Sequence, residues 1–144
     1  MSLKAEQSLQ KKLEPYLKMI EEELIRFPVD RRVPLFYEPI QYVLKLPGKR
    51  IRPLLVLLST AVLGEAPQQV RSAAAAVELL HNFTLVHDDI MDNDDLRRGQ
   101  PTLHKKWDLA TAILAGDGLM GLAFRKLLQM PVGDVREMAR RFTE

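Results

Sequence analysis

None of the 144 residues is cysteine, which excludes disulfide bridges and thiolate metal sites and suits a reducing compartment. Glycine is scarce at 7 and aromatic residues make up 6%, so the chain is neither fibrous nor a glycine-rich disordered segment. Charge of one sign is not in excess. Against 21 Lys and Arg stand 19 Asp and Glu, and the net charge of +2 is too small to point to nucleic acid. Long hydrophobic runs are missing too: the longest, Leu54 to Leu63, is broken by Ser59 and Thr60. It reaches about half of the ~20 residues that span a bilayer. The opening MSLKAEQ leads into no apolar segment of the signal-peptide kind. The expectation is a soluble, cytoplasmic protein.

What is present is apolar side chains, 47%, interleaved with charged ones, 28%, at helical spacing. A single domain of this length buries about 68–70% of its unfolded surface. Leu9, Leu13, Leu17, Ile20, Leu24 and Phe27 recur at three and four residues and predict an amphipathic helix ended by Pro28. Phe36, Ile40, Val43 and Leu44 predict a second, disturbed by Pro39 and stopped before Pro47-Gly48. A leucine-rich third, Pro53 to Leu63, is apolar nearly all round and is expected to be buried on most sides. The longest pattern runs from residue 68 to about 92 and opens with the alanines 73–76. Asp94 to Thr102 reads as a loop. A helix from about Leu109 to Gln129 carries Ala112, Ala115, Gly116, Gly118 and Gly121, which permit close helix approach. Asp134 and Glu137 are spaced as a capping box, and Met138 and Phe142 open a last helix whose apolar face is expected to find no partner before Glu144. The fold class is all-α, and residues 1–144 are expected to form one helical domain, the N-terminal portion of a longer protein.

The chemistry concentrates in HNFTLVHDDIMDNDDLRRGQPT, residues 81–102. On a helix advancing about 100° per residue, His81, Asp88 and Asp92 fall within about 40° of one another. Val77, Leu80, Phe83, Leu85, Ile90 and Met91 surround this stripe, so it is expected to lie in a cleft and not on a solvated face. Carboxylates this close repel unless a cation sits between them. Magnesium suits: it takes oxygen ligands, keeps waters, and is held by one or two carboxylates together with a substrate's phosphates. Asp88 and Asp92 supply the carboxylates, and Arg97 and Arg98 supply forked donors for phosphate oxygens. A plain solvated acidic surface is the alternative, but carboxylates at a helix C-terminus oppose the macrodipole at about 0.3–1 kcal/mol each. Upstream, PGKRIRP (47–53) brings Lys49, Arg50 and Arg52 beside Gly48 at the start of a helix, a second anion site or a basic loop in water.

GKRIRP, then His81 and Thr84 ahead of HDDIMD, then DLRRGQPT, in this order, resemble the trans-type isoprenyl diphosphate synthases, or polyprenyl synthetases, from about Leu35 to Phe124. The resemblance implies an all-α bundle around a deep cavity, usually a homodimer, that condenses an allylic diphosphate with isopentenyl diphosphate. It implies that Asp88 and Asp92 bind magnesium on the allylic diphosphate with Arg97 touching that diphosphate. Lys49, Arg52, His81 and Arg98 would hold isopentenyl diphosphate. A bulky residue five positions before the aspartates, here Phe83, implies a short product of about fifteen or twenty carbons, whereas the helical projection puts Thr84 beneath Asp88.

Asp89, about 100° from Asp88, is expected to support the site from behind or to face solvent. Asp94 and Asp95 suggest loop solvation or capping. His87 suits a buried hydrogen-bonding role, and His104 and Asp117 suit local structure. The family's second aspartate-rich motif does not occur in these residues, so the chain alone is expected not to catalyse. Rival readings are a regulatory subunit that keeps the bundle without catalysis, and an HD-type metal phosphohydrolase built on His87-Asp88. The second needs histidines from other helices, and His81 and His104 alone remain.

Overall fold

Helices carry the fold, as the three- and four-residue spacing predicts. The computed structural model describes residues 3–26 and 33–144. Helix α1 (Leu3–Ile25) is followed by α2 (Pro34–Lys45), α3 (Ile51–Val62), a 3-10 turn (Pro67–Val70) and the long α4 (Arg71–Met91). A hairpin of two strands, β1 (Leu96–Arg97) and β2 (Gln100–Pro101), leads through the short α5 (Leu103–Lys106) to α6 (Leu109–Leu127) and α7 (Val135–Thr143). Phe27 and Pro28, the expected end of the first helix, lie outside the described residues.

The alanines of α4 and the small residues of α6 meet to form the centre of the core. Ala74, Ala75 and Ala76 on α4 and Ala112, Ala115 and Ala123 on α6 are all at most 1% exposed. Short side chains let the two helices come together closely, and Ile20, Ile40, Leu57, Leu79 and Leu119 fill in around them. Each such aliphatic side chain contributes roughly 1.5–3 kcal/mol by leaving water. Gly118 is needed for α2, since a Cβ there would lie 2.6 Å from the Phe36 ring. Gly121 meets nothing within 4 Å, so its expected part in close packing is corrected.

Four further expectations change. Helix α2 runs unbroken through Pro39, which is buried. Helix α3 is buried on one side only: Pro53, Leu54 and Leu57 face inward, while Leu55 is 58% and Val62 85% exposed. The reason is geometric, because α1 and α4 cover one flank and no described element covers the other. On α7 the Asp134 carboxylate accepts from the backbone N–H of Arg136 and Glu137 as a cap should, but Glu137 takes Arg140 and Arg141 and does not reach back. Its apolar face does find a partner: Phe142 sits edge-on to Phe124 at 5.4 Å.

Buried ion pairs join distant segments. Lys126 of α6 donates to Glu23 of α1 at 2.6 Å, both nearly enclosed. Arg50, at the N-terminus of α3, donates to Glu78 at 2.7 Å, to Glu21 at 2.9 Å and to the Leu44 carbonyl at 2.8 Å. Among the described residues no helix is long and apolar enough to cross a membrane.

Candidate active site

The C-terminal end of α4 carries the aspartates. Asp92 caps the helix, and its N–H still bonds the Asp88 carbonyl at 2.8 Å, so the four-residue register holds and both carboxylates share one side. Thr84 is on this exposed side as well, with its hydroxyl donating to the His81 carbonyl. The expected apolar cleft is not closed here. Asp88 and Asp92 are exposed, with Met91 (73%) and Leu96 (62%) beside them, because no described element lies over this end of α4.

The remaining aspartates are all committed to cations. Asp89 is 4% exposed and accepts from Arg97 Nε at 2.5 Å. Burial pushes its carboxyl above the usual range, opposed by the Arg97 hydrogen bond and charge. Its solvent-facing alternative is thereby excluded. Asp94 stands 3.9 Å from the Arg97 guanidinium, and Asp95 pairs with Lys105 at 3.0 Å. The side chains of Asp88 and Asp92 make no hydrogen bond or ion pair with any described residue. Two uncommitted carboxylates one turn apart, with no third His, Cys, Asp or Glu converging among the described residues, do not make a closed metal cage. They fit a hard cation such as magnesium that takes its other oxygens from water and phosphate.

The hairpin after α4 turns through Arg98 and Gly99, at φ 53° and 77°, the two left-handed positions of a tight hairpin turn. Side chains alternate along a strand. Arg97 therefore turns to α4, and Arg98 reaches the other way to donate to the Pro47 carbonyl at 2.9 Å. Gly48 leaves room for this contact: a Cβ there would lie 2.6 Å from the Arg98 guanidinium and would push it aside. Lys49, Arg52, His81 and Arg98 all line one open cleft of about 650 Å³. Arg52 donates to His81 Nε2 at 3.2 Å, which leaves the imidazole proton on Nδ1. Burial, then the Arg52 charge, holds the His81 pKa below its ordinary value. Arg50 borders the same cleft, but its guanidinium is committed to Glu78 and Glu21, so its part as a free anion-binding cation is corrected. Its left-handed backbone, φ 48°, sends the guanidinium inward to Glu78 and leaves it 5% exposed.

Phe83 is half-buried against the His87 ring at 4.6 Å and does not share the open side with Thr84 and Asp88. His87 donates from Nδ1 to the Phe83 carbonyl at 3.0 Å and lies over Gly116, where any Cβ would collide with the ring. Its Nε2 is 3.6 Å from Asp117. Both ring nitrogens of His104 are buried without a partner among the described residues. The Asp89–Arg97 and Arg50–Glu78 pairs were not legible as pairs, since their members are not neighbours in sequence; only the angle of Asp89 around the helix pointed to a supporting place.

Three comparisons bear on this arrangement. A family model described as "Polyprenyl synthetase" matches residues 33–144. The geranylgeranyl diphosphate synthase of Methanosarcina mazei is 49% identical over 109 residues, 76% of this chain and 33% of that protein. The farnesyl diphosphate synthase of Haemophilus influenzae is 50% identical over 96 residues, 65% of this chain and 32% of that protein. The crystal structure of geranylgeranyl pyrophosphate synthetase from Pyrococcus horikoshii superposes with a TM-score of 0.86 at 37% identity, covering 94% of this chain and 41% of that one. The chain thus spans about a third of the length of these curated relatives. With the aspartate helix, the arginine hairpin and the basic cleft in one all-α framework, this chain belongs to the polyprenyl synthetase family.

Proposed function

We propose that the chain supplies the first aspartate-rich motif and the isopentenyl diphosphate cleft of a trans-prenyltransferase, one that condenses an allylic diphosphate with isopentenyl diphosphate. The observation that carries this reading is the sorting of the five aspartates: three pair with Arg97 and Lys105, and Asp88 and Asp92, on one side of α4, have no partner among the described residues. In this reading Asp88 and Asp92 would hold magnesium against the allylic diphosphate, and an ion held there would supply positive charge for the leaving diphosphate. Arg97 donates to that same diphosphate.

Lys49, Arg52, His81 and Arg98 hold the second diphosphate, with a neutral His81 donating from Nδ1. The double bond of isopentenyl diphosphate then attacks the allylic carbon, and loss of a proton completes the product. Thr84, on the side of Asp88, lies along the path of the growing chain, with a short product and a homodimeric assembly expected. The phosphohydrolase reading gains nothing, because the His87 ring is engaged by Phe83 and Asp117.

The test uses an enzyme that contains this chain. Asp88→Ala is expected to lower product formation about a hundredfold or more with melting temperature unchanged. Wild-type turnover in the variant would remove the metal role.

A further inference from the structure

Asp88 and Asp92 stand in the open, yet the aspartate between them in the motif is enclosed, and it alone grips an arginine that the proposed function needs. Arg97 sits in a ladder of two residue pairs, which is too short to be rigid by itself. The hairpin backbone is tied down by the Thr102 hydroxyl on the Asp94 carbonyl at 2.7 Å and by the Tyr42 hydroxyl on the Pro101 carbonyl at 2.8 Å. Neither tie touches the Arg97 side chain. Asp94 is 3.9 Å away, so the short contact is the one to Asp89.

We propose that Asp89 is a positioning residue: by taking Arg97 Nε it fixes the guanidinium plane and leaves the two terminal nitrogens to fork onto the diphosphate held at Asp88 and Asp92. The inference rests on the diphosphate reading of that side of α4. Geometry separates the two roles. Asp89 is about 100° around the helix from Asp88, is 4% exposed, and already accepts from Arg97 at Oδ1. An arginine held at Nε loses less freedom when its terminal N–H groups bind phosphate.

Inorganic pyrophosphate is titrated into the protein with saturating magnesium, and magnesium alone in a separate series, at a temperature where circular dichroism shows every variant folded. Asp89→Ala is expected to weaken pyrophosphate binding about tenfold or more. Asp89→Asn, whose amide oxygen still accepts from Nε, recovers part of that loss. Magnesium binding without pyrophosphate stays as in the wild type, and in an Arg97→Ala background Asp89→Ala has no further effect. The ¹⁵Nε resonance of Arg97 shifts in Asp89→Asn before any ligand is added.

The proposal is overturned if Asp89→Ala weakens magnesium binding as Asp88→Ala does, if its loss adds to that of Arg97→Ala, or if the folded variant binds pyrophosphate normally. Should Asp89→Ala not fold, Asp89→Asn and the Asp89→Ala/Arg97→Ala pair carry the same comparison. If Arg97→Ala leaves binding unchanged while Asp88→Ala abolishes it, the inference falls and the metal reading stands. If Asp88→Ala is also without effect, the reading beneath it has failed.

Discussion

Replacing Arg50 by methionine separates a structural cation from a ligand-binding one. The Arg50 side chain is 4% exposed and the partner Glu78 3%, at 2.7 Å, so the substitution leaves a carboxylate in the interior with Asn82, at 3.4 Å, as its remaining donor. Breaking one side of a buried pair costs about 3–5 kcal/mol. The second contact, to the 53% exposed Glu21, adds little because water screens it. For a chain of this length the loss lowers the melting temperature by roughly 10–20 °C. Urea denaturation followed by circular dichroism measures it, and Arg50→Met/Glu78→Leu, which removes both charges, is expected to recover most of the stability. A loss below about 1 kcal/mol, or a fall in diphosphate binding at unchanged stability, would refute the reasoning and return Arg50 to the anion cleft.

Lys126→Met leaves Glu23 with the half-exposed Arg71, 3.4 Å away, as its remaining cation, so the expected cost in the same assay is smaller, about 2–3 kcal/mol, with less than about 1 kcal/mol contradicting the buried pair. Gly48→Ala pushes the Arg98 guanidinium off the Pro47 carbonyl. Isopentenyl diphosphate binding, measured by calorimetry, should weaken about tenfold with melting temperature nearly unchanged, and unchanged binding would show that Arg98 is not held by this contact. The His81 pKa is lowered in the fold, from an ordinary 6.5, so below that value the unfolded chain takes the proton first. Its contribution is complete above 6.5 and is lost as the pH falls toward the lower folded value. His81→Gln should flatten that part of the stability profile, and an unaltered slope would rule the group out.

Much of the site was legible because its signal is local. Asp88 and Asp92 are set by helix periodicity alone, and Lys49, Arg52, His81 and Arg98 fall in one cleft once α3 and α4 pack side by side. What escaped depends on contacts distant in sequence or on backbone angles. The left-handed φ at Arg50 turns a basic loop residue into a core ion pair with α4, and nothing in GKRIRP announces it. Asp89 differs from Asp88 only in its angle around the helix, and its partner Arg97 is fixed by a hairpin turn the sequence showed merely as a loop. The outer side of α3 misled for the opposite reason: apolar residues report what can be buried, and Leu55 and Val62 have no described neighbour to bury them.

The account turns on the two uncommitted carboxylates, and calorimetric titration of inorganic pyrophosphate with and without magnesium, on the wild type and on Asp88→Asn/Asp92→Asn, tests them most directly. The wild type should bind markedly tighter when magnesium is present, and in the double variant that gain should vanish while the fold persists. Equal affinity with and without magnesium in the wild type, or an undiminished gain in the variant, would contradict it.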